Sequence, residues 1–126
     1  MKRLELLAPP PLVLGACGLL MWLVASAVPA ADFDLPASGF LAVVIAVLAA
    51  AMVGGVFRLS RNPIYLADLG LLLAWGLWLA NVAAFVLLPL FVAYLNRFQI
   101  EPEERALEAR FGAAFAEYRG CVRRWL

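Results

Sequence analysis

Long uncharged stretches alternate with short polar segments along this chain. No charged residue lies between Glu5 and Asp32, and the core of that stretch, residues 12–28, would be about 26 Å long as a helix. This length approaches the roughly 30 Å of a bilayer's hydrocarbon layer. A second uncharged stretch, residues 35–57, is rich in alanine, valine and leucine. The pattern therefore predicts two transmembrane helices, over about residues 12–28 and 37–53.

A third uncharged stretch covers the 28 residues from 69 to 96. It fits either one tilted helix or a tight hairpin of two short helices. A single crossing would put Arg61 and the arginines that begin at Arg97 on opposite faces of the membrane, whereas a hairpin keeps them on the same face. The charges favour a hairpin that turns near residues 79–81, with spans over about 65–80 and 82–96.

A polar helix is predicted after the hairpin. Glu101, Pro102, Glu103 and Glu104 form an acidic first turn with an early proline, which suits the positive end of a helix dipole. Over residues 102–118, apolar side chains recur at steps of three and four beside charged ones. This pattern is typical of an amphipathic helix, which we expect to lie on the cytosolic surface of the membrane.

Composition supports an integral membrane protein. Of the 126 residues, 66% are hydrophobic and 15% are charged, against about half apolar in soluble domains. We therefore predict one all-α membrane domain over residues 1–126, with about four transmembrane helices, the last two a tight hairpin, and a C-terminal amphipathic helix. The basic pair Lys2-Arg3 before an apolar run also fits a signal peptide, a less favoured alternative.

The charges also predict an orientation. Lys2-Arg3, Arg58 and Arg61 fall on one side of the predicted spans, and Asp32 and Asp34 fall on the other. The positive-inside rule then places both termini in the cytoplasm, in an inner or cytoplasmic membrane. The net charge of +1 gives no reason to expect a nucleic-acid partner, and a chain with no histidine and two cysteines is not expected to hold a metal.

Two polar motifs are candidates for chemistry. Adjacent helical carboxylates, Glu103 and Glu104, point about 100° apart and can address different partners, such as an ammonium group. Taken alone, they are better explained by a well-capped helix N-terminus. Arg61-Asn62-Pro63, at the mouth of a span, is likewise explained by topology and helix initiation.

The order of the motifs is more specific than either motif. The chain carries an Arg-Asn-Pro-Ile-Tyr segment, then a hairpin, then Glu-Glu-x-x-Leu, Phe-Gly and a final Val-x-Arg-Trp. Over about residues 54–126 it resembles the isoprenylcysteine carboxyl methyltransferase family and its phospholipid methyltransferase relatives. The resemblance implies that S-adenosylmethionine binds on the cytosolic side, between the proline-containing segment, the hairpin and the Glu-Glu helix.

Carried over by position, the resemblance implies a set of site residues. Glu103 or Glu104 would receive the amino group of the cofactor, and Arg97 would meet the acceptor. If the acceptor were an amine and needed a base, Tyr65 and Glu104 are the residues that could assist the reaction. The residues expected to line the cofactor upstream are Arg61, Asn62, Pro63, Tyr65 and Leu66.

The chain departs from the family pattern at several positions. Asn62 stands where histidine is usual, Ala67 where glycine is usual, and Phe115 where a tyrosine is usual. Arg97 lies six residues before Glu103 rather than about four. Family members also usually carry a polar segment between the second span and the arginine-proline motif, and this chain has no such segment.

These features predict a membrane-embedded, S-adenosylmethionine-dependent methyltransferase that methylates a carboxylate on a lipidated or lipophilic acceptor. A carboxylate is already anionic at neutral pH, so transfer would rest on positioning and desolvation rather than on a strong base. An amine or phospholipid headgroup is the second choice of acceptor. Two further hypotheses remain: a methyltransferase-like remnant that acts as a membrane scaffold, and a small four-span transporter.

Overall fold

All regular elements that the structure describes are helices. The computed structural model describes residues 9–34, 37–52 and 60–126. Lys2, Arg3 and Arg58, on which the predicted orientation partly rests, lie outside these residues. The prediction of an all-α protein is confirmed over the described ranges. The helices are α1 (Pro10–Ala27), α2 (Ser38–Met52), α3 (Pro63–Leu79), α4 (Leu87–Leu95), α5 (Glu101–Phe111) and α6 (Ala113–Cys121), with 3₁₀ turns at Pro29–Ala31 and Val82–Val86 and a π segment at Asn96–Ile100.

Two helical stretches in the described ranges are long and apolar enough to cross a membrane. One is Pro10–Ala27, and the other is the continuous 30-residue run Val82–Phe111. The other apolar helices, Ser38–Ala51 and Pro63–Leu79, are shorter. The described chain is therefore helical and carries two candidate spans, and the four-span arrangement stays a prediction.

The last predicted span and the polar helix are joined without a break. The π segment Asn96–Ile100 connects α4 to α5 directly. Pro102 has no N–H for the carbonyl four residues earlier, and in a regular α-helix its ring would collide with that carbonyl. A wider π turn just before the proline gives the ring room. The polar helix expected over residues 102–118 instead breaks at Gly112, whose φ of 50° and ψ of −119° suit a residue without a Cβ.

The chain reverses direction just after α3. Ala80 adopts a left-handed conformation, with φ 50° and ψ 42°, and its N–H donates to carbonyls of the last turn of α3. Asn81 then starts the next 3₁₀ turn, because its side chain accepts a hydrogen bond from the N–H of Ala84. This reversal brings the start of α3 back beside α5, where Tyr65 contacts Glu103.

Asn81 also ties the turn to the end of α1. It is fully buried, and its side-chain nitrogen donates to the carbonyl of Val28 at 2.8 Å and to the carboxylate of Asp32 at 2.6 Å. A third, longer contact of 3.4 Å reaches the carbonyl of Ala25. Nearly all buried amides are paired in this way in native proteins. We name this group, Asn81 with Ala25, Val28 and Asp32, the turn cluster.

Apolar packing holds α3 in the centre of the molecule. Met21 of α1, Leu72 of α3 and Phe91 of α4 belong to one buried cluster that extends to Ile100. On the other side, α2 approaches α3 closely, because a Cβ added to Gly70 would lie 2.8 Å from the Cβ of Ala49. The start of α3 is therefore held firmly beside α5, where the polar motifs meet.

Candidate functional site

The two polar motifs that the sequence singled out line one cavity. Its volume is about 300 Å³, at the lower end of the range of about 300–1,000 Å³ for small-molecule sites. Side chains from four helices, α1, α3, α5 and α6, complete its wall: Pro10, Ile64, Leu107 and Phe115. The polar motifs contribute Arg61, Asn62, Pro63, Tyr65, Glu103 and Glu104.

Local chain geometry explains why the upstream motif enters this cavity. Pro63 is the first residue of α3 and favours an extended conformation at the residue before it, so the helix starts there. Tyr65, two residues on, is buried against α5. Its hydroxyl donates to Oε1 of Glu103 at 2.6 Å, which is the short distance expected for a hydrogen bond to a carboxylate. The two motifs are thus in direct contact.

The second glutamate has different partners. Glu104 is only 8% exposed, and its carboxylate lies between two guanidinium groups. Arg124 contacts both of its oxygens, with Nη2 at 2.6 Å from Oε2 and Nε at 3.2 Å from Oε1. Nη1 of Arg61 lies 3.4 Å from Oε1. Glu104 is therefore already neutralised by the protein itself.

Arg61 is buried with two donors that have no acceptor. Its side chain is 10% exposed, and among the described residues neither Nε nor Nη1 has a hydrogen-bond partner. Contact with Glu104 is close enough for an ion pair but does not have hydrogen-bond geometry. Arg61 therefore contributes a positive charge to the cavity wall, while its two unpaired nitrogens are shielded from solvent.

The C-terminal tail, residues 122–126, binds back onto the upstream motif. The carbonyl of Arg124 accepts hydrogen bonds from Oγ of Ser60 at 3.1 Å and from Nδ2 of Asn62 at 3.0 Å. The backbone N–H of Arg61 donates to the carbonyl of Arg123 at 2.9 Å. The tail therefore fixes the segment that leads into α3, and Asn62 serves partly as its anchor.

Trp125 fastens the tail a second time, because its Nε1 donates to Oδ1 of Asn96 at 3.1 Å. The Val-x-Arg-Trp ending is visible in the sequence, but nothing in the sequence indicates a role for Arg124 or Trp125. Nothing in the sequence placed Ser60 or Asn96 at the site.

Two residues expected at the site lie elsewhere. Leu66 lines a separate apolar groove with residues of α2 and Leu126. Arg97 is in the π segment, where its Nη1 lies 3.2 Å from Oε2 of Glu101 and both side chains are 39% exposed. Neither lines the cavity, so their roles in cofactor binding and acceptor recognition stay predictions.

The part of the chain that the structure describes contains no set of metal ligands. No group of three or more histidine, cysteine, aspartate or glutamate side chains there is placed to hold a metal ion.

Residues 14–114 match the model of a family described as phospholipid methyltransferase. The match runs from within α1 to the first turn of α6 and includes both polar motifs. The chain belongs to the phospholipid methyltransferase family. This confirms the resemblance found in the sequence, and it makes the chain a membrane protein of a methyltransferase family.

A relative from Haemophilus influenzae, described as an uncharacterized protein, is 47% identical over 62 residues. The match covers 49% of this chain and 98% of the relative. Almost the whole relative therefore corresponds to half of the present chain. No solved structure matches the chain.

Proposed function

We propose that this protein is a membrane-embedded methyltransferase that binds S-adenosylmethionine in the cavity between α3, α5 and the C-terminal tail. One observation carries the proposal: six of the seven residues expected to bind the cofactor line a single cavity, Leu66 being the exception. They come from segments about forty positions apart. Family membership supports the reaction class.

The chemistry of the lining fits this cofactor. S-adenosylmethionine carries an ammonium, a carboxylate and an apolar nucleoside face, and the cavity offers the carboxylate of Glu103, the guanidinium of Arg61 and apolar side chains such as Leu107 and Phe115. When bound, the cofactor supplies a methyl group on a sulfonium, which becomes a neutral thioether as the acceptor takes the methyl.

The residues of the chain would then hold the reactants and exclude water. We propose a carboxylate on a lipophilic molecule as the acceptor, since a carboxylate needs no general base. Its polar end would lie near Arg97 or Arg61 and its lipid part among the spans. Proximity and desolvation of this kind account for several kcal/mol of a reaction barrier.

A phospholipid amine is the second candidate acceptor, and the family description favours it. An ammonium headgroup must lose a proton before it can accept a methyl. The carboxylate of Glu103, which accepts a hydrogen bond from the hydroxyl of Tyr65 at 2.6 Å, is the group in the cavity best placed to take that proton.

We further propose four spans with both termini in the cytoplasm of an inner or cytoplasmic membrane. In the described ranges, two helical stretches meet the length and composition of a span. The shorter α3, with 17 residues, would cross about 26 Å, which a locally thinner bilayer accommodates.

Binding and product analysis together test the function. Purified protein in micelles is titrated with S-adenosylmethionine by calorimetry, and its thermal unfolding is followed with and without the ligand. Micromolar binding and a raised midpoint are expected. Membranes are then incubated with protein and methyl-labelled cofactor. Label that alkali releases as methanol identifies an ester, and alkali-stable label in the lipid fraction identifies an N-methylated amine. If the protein does not bind S-adenosylmethionine, the methyltransferase proposal is wrong and the scaffold hypothesis is favoured.

A further inference from the structure

Arg124 links two walls of the cavity that it does not itself line. One wall is the segment that leads into α3, with Asn62, and the other is α5, with Glu104. The backbone carbonyl of Arg124 accepts hydrogen bonds from Ser60 and Asn62. Its guanidinium donates to both carboxylate oxygens of Glu104, from Nη2 at 2.6 Å and from Nε at 3.2 Å. A single tail residue therefore holds both walls.

The contact between Arg124 and Glu104 is the strongest kind that the tail makes. Two N–H···O bonds from one guanidinium to one carboxylate combine charge attraction with a fixed geometry. The side chain of Glu104 is only 10% exposed, so little water competes for its oxygens. If the tail left this position, Glu104 and Asn62 would each lose a partner, and the two walls would no longer be held in register.

The tail is also anchored at a place away from the cavity. Nε1 of Trp125 donates to Oδ1 of Asn96 in the π segment before α5. The Trp125 ring packs against the buried apolar cluster. Docking of the tail can therefore be weakened at Trp125 without changing any residue that lines the cavity.

We propose that Arg124 is a positioning residue for ligand binding: it acts through Glu104 and Asn62, and the cavity binds its ligand in the conformation with the tail docked. The proposal rests on the proposed function in taking the cavity as the ligand site. The apparent affinity then follows the fraction of molecules with a docked tail. By linkage, the ligand must favour the docked tail by the same factor by which docking raises affinity.

The experiment uses the full chain in micelles and S-adenosylmethionine as the probe. Calorimetry gives the affinity of wild type, Arg124→Gln, Arg124→Lys and Trp125→Phe. Trp125→Phe keeps an aromatic ring and removes only the donor to Asn96. The control is Arg123→Gln, which removes the same charge from the neighbouring, exposed residue of the tail.

Arg124→Gln should lower the affinity by about 10-fold, because hydrogen bonds to a charged group are lost. Trp125→Phe should lower it by about threefold through the loss of a neutral hydrogen bond. Arg124→Lys should lie between wild type and Arg124→Gln, since lysine keeps the charge but not the two-pronged geometry. Arg123→Gln should bind as wild type does. Affinities of Arg124→Gln and Trp125→Phe equal to that of Arg123→Gln overturn the proposal.

Hydrogen exchange at two indole N–H groups reads tail docking in the wild type itself. Trp125 donates from the tail to Asn96, and Trp75 donates from α3 to the carbonyl of Gly18 at 3.0 Å. Saturating S-adenosylmethionine should slow exchange at Trp125 more than at Trp75, as linkage requires. A tail that only stabilises the fold would give the same change at both indoles. That result overturns the proposal, even if no variant folds.

Failure of the proposed function looks different, because wild type then binds no S-adenosylmethionine. The link between the walls is in that case tested without a ligand. Arg124→Gln should shift the NMR signals of the Tyr65 ring, whose hydroxyl contacts Glu103 where the walls meet, and Arg123→Gln should not. Unchanged Tyr65 signals in Arg124→Gln overturn the positioning role of Arg124.

Discussion

The molecule has a polar cluster at each end of α3, and the two are built on different principles. The turn cluster is centred on one neutral amide, Asn81, whose nitrogen and oxygen both have partners within the chain. The opposite cluster, which we name the cavity cluster, consists of Arg61, Glu104, Arg124, Tyr65 and Glu103. It contains several charges and two buried donors that have no acceptor among the described residues.

This difference distinguishes a polar cluster that stabilises the fold from one that is suited to bind a ligand. A cluster whose hydrogen bonds are all made within the chain stabilises one conformation and offers a ligand nothing. A cluster with unpaired buried donors carries a free-energy cost, and an added acceptor that reached those donors would remove it. By this criterion the turn cluster is structural, and the cavity cluster is the place to look for binding.

The largest effect is expected from Glu104→Gln. This change leaves the guanidinium of Arg61, whose side chain is 10% exposed, without its counter-ion. Removing one partner of a buried ion pair typically costs about 3–5 kcal/mol, and we expect a loss near the lower figure in thermal or denaturant unfolding. Glu103→Gln is the matched control, and its cost should be about 1 kcal/mol. Equal costs would mean that the two glutamates have equivalent surroundings.

Asn81→Ala should have the second largest effect on stability. The carbonyl of Val28 and the carboxylate of Asp32 both lose a donor, at a cost of about 2 kcal/mol in unfolding free energy. Affinity for S-adenosylmethionine per folded molecule should stay as in wild type. Ser26→Ala, which removes one exposed hydrogen bond, should change neither quantity. A selective loss of affinity in Asn81→Ala would contradict the division between the clusters.

Tyr65→Phe is expected to cost less, about 1 kcal/mol, because one hydrogen bond to Glu103 is lost. Its effect on cofactor affinity should be non-additive with that of Glu103→Gln by at least about 0.5 kcal/mol, since the residues are in contact. Combined with Asn81→Ala, about 24 Å away along α3, the effects should add. Double-mutant cycles measured by calorimetry decide between these outcomes.

A labelling experiment tests whether the clusters lie on opposite sides of the membrane, as the proposed topology requires. Cys121 is exposed beside the cavity cluster, and Cys17 can be replaced by alanine to leave a single thiol. Val28→Cys, added in a chain that also lacks Cys121, places a thiol at the turn cluster. An impermeant reagent on intact cells should label position 28 and spare position 121 until the membrane is opened. Labelling of both from one side would refute the topology.

Several features of the fold could be predicted from single residues and short sequence segments. Uncharged stretches predicted helices where α1 and α2 lie, because hydrophobicity and helix length are local properties. Charge distribution predicted a turn at residues 79–81, where Ala80 and Asn81 reverse the chain. Motif order indicated the family, which the match over residues 14–114 confirms.

Details of helix continuity were not readable. The break at Gly112 and the π segment before Pro102 interrupt a pattern that predicted one separate polar helix. Hydrophobic periodicity shows which face of a helix is apolar. One irregular turn hardly changes this periodicity, so the pattern does not show where a helix breaks or widens. Backbone conformation at a single glycine or proline is decided by what the neighbouring elements leave room for.

From the sequence alone, the positions of α1, α2 and the turn after α3 could be predicted, and Arg61, Tyr65, Glu103 and Glu104 could be singled out as candidates. Only the tertiary structure decided how these residues divide their roles. Glu104 is paired with Arg124 because the tail folds back across the start of α3, a contact between positions 20 residues apart that no local pattern encodes. Within the described ranges, packing brings carbonyls and a carboxylate to the side chain of Asn81, but it leaves two nitrogens of Arg61 without an acceptor. Hydrogen-bond partners are a property of the packed chain, and so the distinction between a structural cluster and a binding cluster arises only there.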